Sequence, residues 1–493
     1  MKQKLLAFIL LTLFAFSGNV KAQVRYLDEV FNATTVTSNV EYGYNVTVIT
    51  GAPALDTLRM DVYEPTGDTA SLRPLIIYIH TGSFLPTPLN GQCTGDKSDS
   101  ASVEMCQRFA KKGYVVANVN YRLGWNPVGD QDTRTGTLLN AVYRAMQDVK
   151  SSVRYFRKSV ATASNPFKID ETKIALGGQG SGGYVALACG TIDDYGDITL
   201  PKFINFTTGL AYVDTSLSGD WDGNGGTGLN QPALNNPGYS NAVNFIFNMG
   251  GAIGDSSWLQ AGAPPMVCFH VPNDPFAPYT YGPVIVPTTQ QFVVNVSGSY
   301  DIVRRANYLG NNASFNGIAY TDAYSLQANT VNDGIEGLCP FPMDDPAGPL
   351  TGQAGPWEWW DTTCTNHASS LLSNPNMSKT QGMAYIDTVQ GYVCPRMYRS
   401  FGLNVGVSQL EQLEKSVNVY PNPASDRFKV SIDNSTEPIS SIRLIDLAGR
   451  EVLFMNTDSR RTYEFPTAGL SSGLYFVKLT FEKGEVVKKL TIN

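Results

Sequence analysis

Three histidines are all that the chain offers for imidazole chemistry: His80, His270 and His367. His80 ends an apolar run, Leu75-Ile76-Ile77-Tyr78-Ile79, and opens a small-residue stretch, Thr81-Gly82-Ser83. Ser181 lies in the glycine-rich segment Gly177-Gly178-Gln179-Gly180-Ser181-Gly182-Gly183. Asp274 follows the apolar run that ends at His270, and His367 comes later still. A hydroxyl, an imidazole and a carboxylate brought together make an activated oxygen nucleophile. Two other segments could carry chemistry. Asp220-Trp221-Asp222-Gly223-Asn224-Gly225 begins like a calcium loop. Its twelfth position is Gln231 and no helical pattern brackets it, so a plain turn is expected and no metal or other cofactor is assigned. Trp357, Trp359 and Trp360 are half of the 6 tryptophans. They suit the lining of an acyl, aryl or glycan pocket, or equally the core of an insertion over about 309–366.

The elements that must position these residues alternate between strand and helix. Leu58, Met60 and Val62 alternate as in an edge strand, whereas Leu75–Ile79 and Tyr114–Val119 are continuous apolar runs, as in buried parallel strands. Ile174–Leu176, Val243–Met249 and Met266–Phe269 add three more strands. A helix is expected around Ser102–Lys112 and a final one around Met383–Phe401. Leu139, Val142, Met146, Val149, Val153 and Phe156 recur at the three- and four-residue spacing of an amphipathic helix. A doubly wound, mostly parallel α/β sheet satisfies this order over residues 23–404.

Composition narrows the class. The 493 residues suit one large domain plus a small one, and 36 Lys+Arg against 43 Asp+Glu give a net charge of −7 without the basic face that nucleic acid requires. With 46 Gly, 28 Pro and only 16% charged residues, a coiled coil or helical repeat is excluded. Residues 1–22 have a charged start at Lys2 and Lys4, an apolar run too short to span a bilayer, and Val20-Lys21-Ala22 at a cleavage spacing. They are expected to be a signal peptide, with no membrane span after its removal. Export makes disulfides expected among the 7 cysteines. Cys93 with Cys106, and Cys339 with Cys364, bracket irregular polar stretches and are the expected pairs, whereas Cys189 and Cys268 read as buried thiols.

His80-Thr81-Gly82-Ser83, Asn118-Val119-Asn120-Tyr121-Arg122 and Gly178-Gln179-Gly180-Ser181-Gly182 together resemble α/β-hydrolases of the carboxylesterase and dienelactone-hydrolase type. The resemblance implies that the first segment is the oxyanion loop and the third the nucleophile elbow. It also implies Asp274 as the acid that orients His367, the general base, with Ser181 attacking a carboxyl ester. The elbow admits two registers. Outer glycines at Gly178 and Gly182 put Gly180 at the nucleophile position, and a glycine there would leave a protein without a nucleophile. Ser181 as nucleophile puts the bulky Gln179 at a position that wants a small residue. Thr81 and Ser83 stand where the family has glycines. The functions in view are therefore an ester hydrolase acting on a small ester or glycan ligand, and an inactive hydrolase-fold protein that binds a ligand or protein or serves as a surface component.

Composition changes near residue 405, where a linker over 405–415 is expected. From 416 to 493, short alternating strands separated by turns indicate a small β-sandwich. Val419-Tyr420-Pro421-Asn422-Pro423-Ala424, Ile445-Asp446-Leu447-Ala448-Gly449-Arg450 and Leu474-Tyr475-Phe476-Val477 resemble the C-terminal sorting domain of the type IX secretion system. The resemblance implies a partner in that machinery and delivery to the cell surface or medium.

Overall fold

The computed structural model describes residues 23–493 apart from 50, 88, 287–288, 344–351, 404–412, 434–437, 448, 459 and 482–483. The expected signal peptide and most of the expected linker lie outside the described residues. The chain divides into two compact units, one up to Phe401 and one from Gly402.

Eight strands make the sheet of the first unit. In chain order they are β1 (Thr34–Thr47), β2 (Ala54–Pro65), β3 (Arg73–Ile79), β4 (Val115–Val119), β5 (Ile169–Gln179), β6 (Phe245–Met249), β7 (Met266–His270) and, beyond a separate hairpin of β8 (Tyr281–Ile285) and β9 (Phe292–Ser297), β10 (Leu338–Pro340). Their order across the sheet is β1-β2-β4-β3-β5-β6-β7-β10. β1 and β2 run antiparallel to their neighbours and the other pairs are parallel. Every residue of β3, β4, β6 and β7 is buried, which is why these strands read as unbroken apolar runs rather than alternations. β1 and the three-residue β10 had no such run and extend the expected sheet at both edges.

Helices α1 (Ser100–Lys111), α2 (Gln131–Thr162), α3 (Ser181–Thr191) and α4 (Lys379–Ser400) connect or follow these strands. α2 starts where the Asp130 carboxylate accepts the Thr133 N–H at 2.8 Å, a standard cap. Its Met146, Val149, Val153 and Phe156 are fully covered by the sheet. Arg122, just after β4, is anchored to α2 by Asp148, and neither side chain is exposed. Its Nη1 also donates to Val46 O at 2.9 Å and its Nη2 to Arg144 O at 3.2 Å, tying the end of β1 to α2.

The disulfide joins Cys93 to Cys364, across 271 residues, in place of the two expected pairs. Cys106 lies on the buried face of α1 and Cys339 is buried within β10, so neither thiol is presented to the loop that holds its expected partner. Asp220 caps its own turn, accepting Asp222 and Asn224 N–H groups, and Asp222 binds Lys150 Nζ at 3.0 Å, so both carboxylates of the calcium-like segment are committed internally.

The second unit has two antiparallel sheets, β11-β12-β15 and β14-β13-β16-β17, comprising Val417–Tyr420, Arg427–Ile432, Thr462–Pro466 and Glu451–Asn456, Ile439–Asp446, Gly473–Phe481, Gly484–Ile492 respectively. Phe428, Val430, Leu444, Val477, Leu479 and Leu490 form their common core. The alternation of buried and less buried residues along β16 places one face inward.

Two outcomes are expected. Asp148→Ala leaves the Arg122 guanidinium buried without its counter-charge and costs about 3–5 kcal/mol, read as a lower urea midpoint of the first unit at unchanged slope. Non-reducing peptide mapping recovers Cys93 linked to Cys364, with Cys106 and Cys339 alkylated only after unfolding.

Candidate functional site

The junction of β5 with α3 is a tight backbone crossing. A side-chain carbon on Gly178 would overlap the Gly182 carbonyl, and one on Gly182 would overlap Ile79 O. Two glycines, four apart, are therefore required. Between them Gly180 has φ 52° and ψ −121°, a conformation that costs an ordinary L-residue about 1–3 kcal/mol. Gly180 is thus the apex of the turn, and Ser181 is the first residue of α3. Gln179 does not crowd the crossing. Its buried side chain points elsewhere, accepting from Tyr78 OH at 2.9 Å and donating to Glu358 Oε1 at 3.3 Å.

Ser181 Oγ lies 3.0 Å from Tyr121 OH, and Tyr121 OH donates to His80 O at 3.0 Å. The phenol has one proton, so Ser181 is the donor in the first contact. Its hydroxyl proton is committed to Tyr121 and not to an imidazole. The Thr81-Gly82-Ser83 loop turns sharply, with φ of 128°, 54° and 57° at Gly82, Ser83 and Phe84. A side chain on Gly82 would strike Gly95. Among the described residues, the N–H groups of Gly82, Ser83 and Ser181 meet no acceptor.

Each imidazole has its own employment. His80 is buried, donates from Nδ1 to Thr81 O at 2.5 Å and stacks on Tyr121 with centroids 4.6 Å apart. Burial pushes its pKa down. His270 contacts Ser299 Oγ at 2.8 Å and Ala277 O at 3.1 Å, and burial lowers its pKa to about 4. His367 opens a short helix, and its Nδ1 accepts the Trp360 indole N–H at 3.0 Å. A nitrogen that accepts from an indole carries no proton to give to a carboxylate. Among the described residues, no hydrogen bond or ion pair joins His367 to Asp274 or Ser181.

Asp274 stands at the end of the loop after β7. Its Oδ1 accepts Phe276 and Ala277 N–H groups at 2.8 and 3.0 Å. Its Oδ2 is 3.8 Å from His270 Nε2 and accepts no hydrogen bond among the described residues. Burial raises its pKa to about 7. A cavity of about 230 Å³ opens over the elbow, bordered by Thr81, Gly180, Ser181, Asp274, Trp357 and Glu358 at one side. The rest of its wall is largely apolar, including Phe84, Leu138, Val142, Phe203, Trp258 and Val294. His367 is not part of the lining. Trp357 serves both roles open from the sequence: it borders the cavity and is only 2% exposed. Glu358, half-buried, is held protonated to about pH 8 by desolvation and then by the Asp99 charge. Sequence reasoning missed Tyr121, Glu358 and Gln179 as parts of this site. In the sequence, only a Glu set among three tryptophans offered a signal.

The mixed, mostly parallel sheet with its glycine-crossed strand–turn–helix elbow has the α/β-hydrolase fold. Residues 60–208 match the BD-FAE family and residues 418–493 match the secretion system C-terminal sorting domain, so the chain carries an esterase-like α/β-hydrolase domain and a type IX sorting tail. The tail marks delivery to the cell surface or extracellular space, and among the described residues no helix is long and apolar enough to cross a membrane. Solved structures that resemble the chain include a thermophilic esterase from Thermogutta terrifontis bound to propionate, at 19% identity and TM-score 0.28, covering 45% of this chain and 70% of that one. A truncated carbohydrate esterase from gut microbiota has 16% identity and TM-score 0.33, covering 56% and 84%. A bifunctional GH43-CE protein from Bacteroides eggerthii has 14% identity and TM-score 0.32, covering 52% and 32%. No curated protein matches.

Glu358 gives a pH signature. The fold keeps its proton to about pH 8, whereas an unfolded chain releases it near about 4.3. Between those limits the folded state binds more protons, so this group's contribution to stability falls as pH rises. Glu358→Gln removes that loss, so the variant's stability relative to the wild type increases from about pH 5 to about pH 8, read from urea midpoints at the two pH values.

Proposed function

We propose that the main unit is an exported binding protein built on the esterase fold, without a serine nucleophile. The observation that carries this reading is the apex glycine, Gly180, held between two glycines that the crossing requires. Thr81 Oγ1 supports it, because a side chain at position 180 would run into that hydroxyl. The employment of His367 by Trp360 supports it too. The largely apolar wall favours a ligand with a hydrocarbon body over a glycan. A second reading, carboxyl-ester hydrolysis by Ser181 with His367 as base and Asp274 as orienting acid, draws on the presence of Ser181 in the cavity wall. It requires Ser181 Oγ to leave Tyr121 and His367 to leave Trp360.

Labelling with a fluorophosphonate tests the two. The expected result is no labelling of the wild type and no change in Ser181→Ala. Robust labelling and ester turnover that Ser181→Ala abolishes would establish the hydrolase reading instead. Deleting residues 416–493 is expected to leave the main unit folded in the periplasm, detected by fractionation, with none at the surface.

A further inference from the structure

The cavity's polar end is unbalanced in a way that specifies a head group. On one side are the N–H groups of Gly82, Ser83 and Ser181, without acceptors among the described residues. Ser181 opens α3, so the positive end of the helix dipole adds to its N–H. On the other side is Asp274, whose side chain is only 3% exposed and whose Oδ2 accepts no hydrogen bond among the described residues. The two sides are close neighbours. Gly180 donates its N–H to Met249 O at 2.8 Å, and a side-chain carbon on the following residue, Gly250, would lie 3.9 Å from Asp274 Oδ2.

Charge excludes one class of ligand. No Lys, Arg or His borders the cavity among the described residues, whereas Asp274 and Glu358 both do. A carboxylate head would bring a third acidic group into an enclosed space without a cation, which is costly. Ester and amide carbonyls both satisfy the N–H groups. Only an amide bearing hydrogen also gives Asp274 Oδ2 a donor, and an ester puts an oxygen there instead. A site built to bond an N–H discriminates strongly against an analogue that lacks it, because its own polar atom is left without a partner.

We propose that the cavity holds a neutral secondary amide of an apolar acid, with its carbonyl oxygen on the N–H groups of Ser181 and the Gly82-Ser83 turn and its N–H on Asp274 Oδ2. The assignment rests on the nucleophile-free reading, and it makes Asp274, the acid of a hydrolase triad, a ligand-binding acceptor. The acyl chain lies against the apolar wall that includes Leu138, Val142 and Phe203.

The test uses the purified full chain and three matched probes: N-butylhexanamide, butyl hexanoate, and N-butyl-N-methylhexanamide, which lacks the N–H. Binding is read from tryptophan fluorescence, since Trp125, Trp258 and Trp357 border the cavity. At about pH 8.5, above the Asp274 pKa of about 7, the secondary amide is expected to bind about tenfold or more tightly than the other two, the difference set by one hydrogen bond to the ionised carboxylate. Asp274→Asn keeps an oxygen for Phe276 and Ala277 and turns an amide nitrogen toward the cavity. It is expected to erase or invert the preference while the melting temperature shows the protein folded. The tertiary amide makes the same distinction without any substitution. Equal binding of all three probes, or binding of none by the folded wild type, overturns the head-group assignment. Release of butanol from the ester, abolished by Ser181→Ala, overturns the nucleophile-free reading and the assignment with it.

Discussion

The backbone crossing at the end of β5 governs the rest of the first unit's chemistry. Gly178 and Gly182 pass so close to each other, and Gly182 to Ile79 O, that neither tolerates a side chain. This contact fixes the register of the turn. It puts residue 180 at the apex with a left-handed φ and makes Ser181 the opening residue of α3. The hydroxyl of a first helical residue leans away from the apex, and here it meets Tyr121. Sliding the register by one would place Gln179 in the crossing and break its bonds to Tyr78 and Glu358. Those two bonds bury a polar side chain with partners on both ends, so they reinforce the same register from the opposite direction.

The consequences spread through the ionisable groups. The hydrogen bonds of every imidazole go to neutral partners: His80 to a carbonyl, His270 to a hydroxyl and a carbonyl, His367 to an indole. The two carboxyls at the cavity's polar end are held protonated toward neutrality by desolvation. Proton relay requires an acid and a base whose charges stabilise each other across a hydrogen bond. Here the groups are separated, and each is satisfied or neutralised locally. The Cys93–Cys364 bridge maintains that arrangement by fastening the loop after β3 to the segment that bears Trp357, Glu358 and Trp360. Cys93 N–H on Ser370 Oγ and Asn366 on Gln92 O sew the same two segments together.

How much of this was legible followed the range of the interactions involved. Local signals read well. The continuous runs of β3, β4, β6 and β7, the heptad-like stripe of α2 and the alternation in the tail all follow from burial acting on neighbouring residues. The elbow glycines were legible as two alternatives because sterics at a crossing act through residue size, and the sequence shows size. Long-range pairings were not legible. Nothing local links Cys93 to a partner 271 residues away, and the nearer Cys106 is diverted because α1 turns its apolar face, that thiol included, into the core. β10 is three residues long and gains its identity only from register with β7. Glu358 was obscured by its tryptophan neighbours, whose bulk suggested packing and concealed a carboxyl in the cavity wall.

A site that retains the binding half of a hydrolase differs from a weakened catalyst in where its free energy goes. A catalyst gains by holding the transition state more tightly than the ground state, and tight binding of the substrate opposes turnover. On the proposed nucleophile-free reading, no oxygen at the Gly180 apex converts a carbonyl into a tetrahedral centre, and that trade-off disappears. Donors fixed by Gly82, Ser83 and the start of α3 then act on the planar carbonyl itself. On the same reading Asp274, buried beside the elbow, accepts from the atom next to that carbonyl. On that reading the rigid crossing keeps the donors and the acceptor preorganised, and preorganisation lowers the ordering cost of binding. The apolar wall adds affinity in proportion to the hydrocarbon area it covers, about 25 cal/mol per Å², without distinguishing one head group from another. Selectivity is therefore concentrated in the few polar atoms around Gly180, and the length of the acyl body sets how tightly the selected ligand is held.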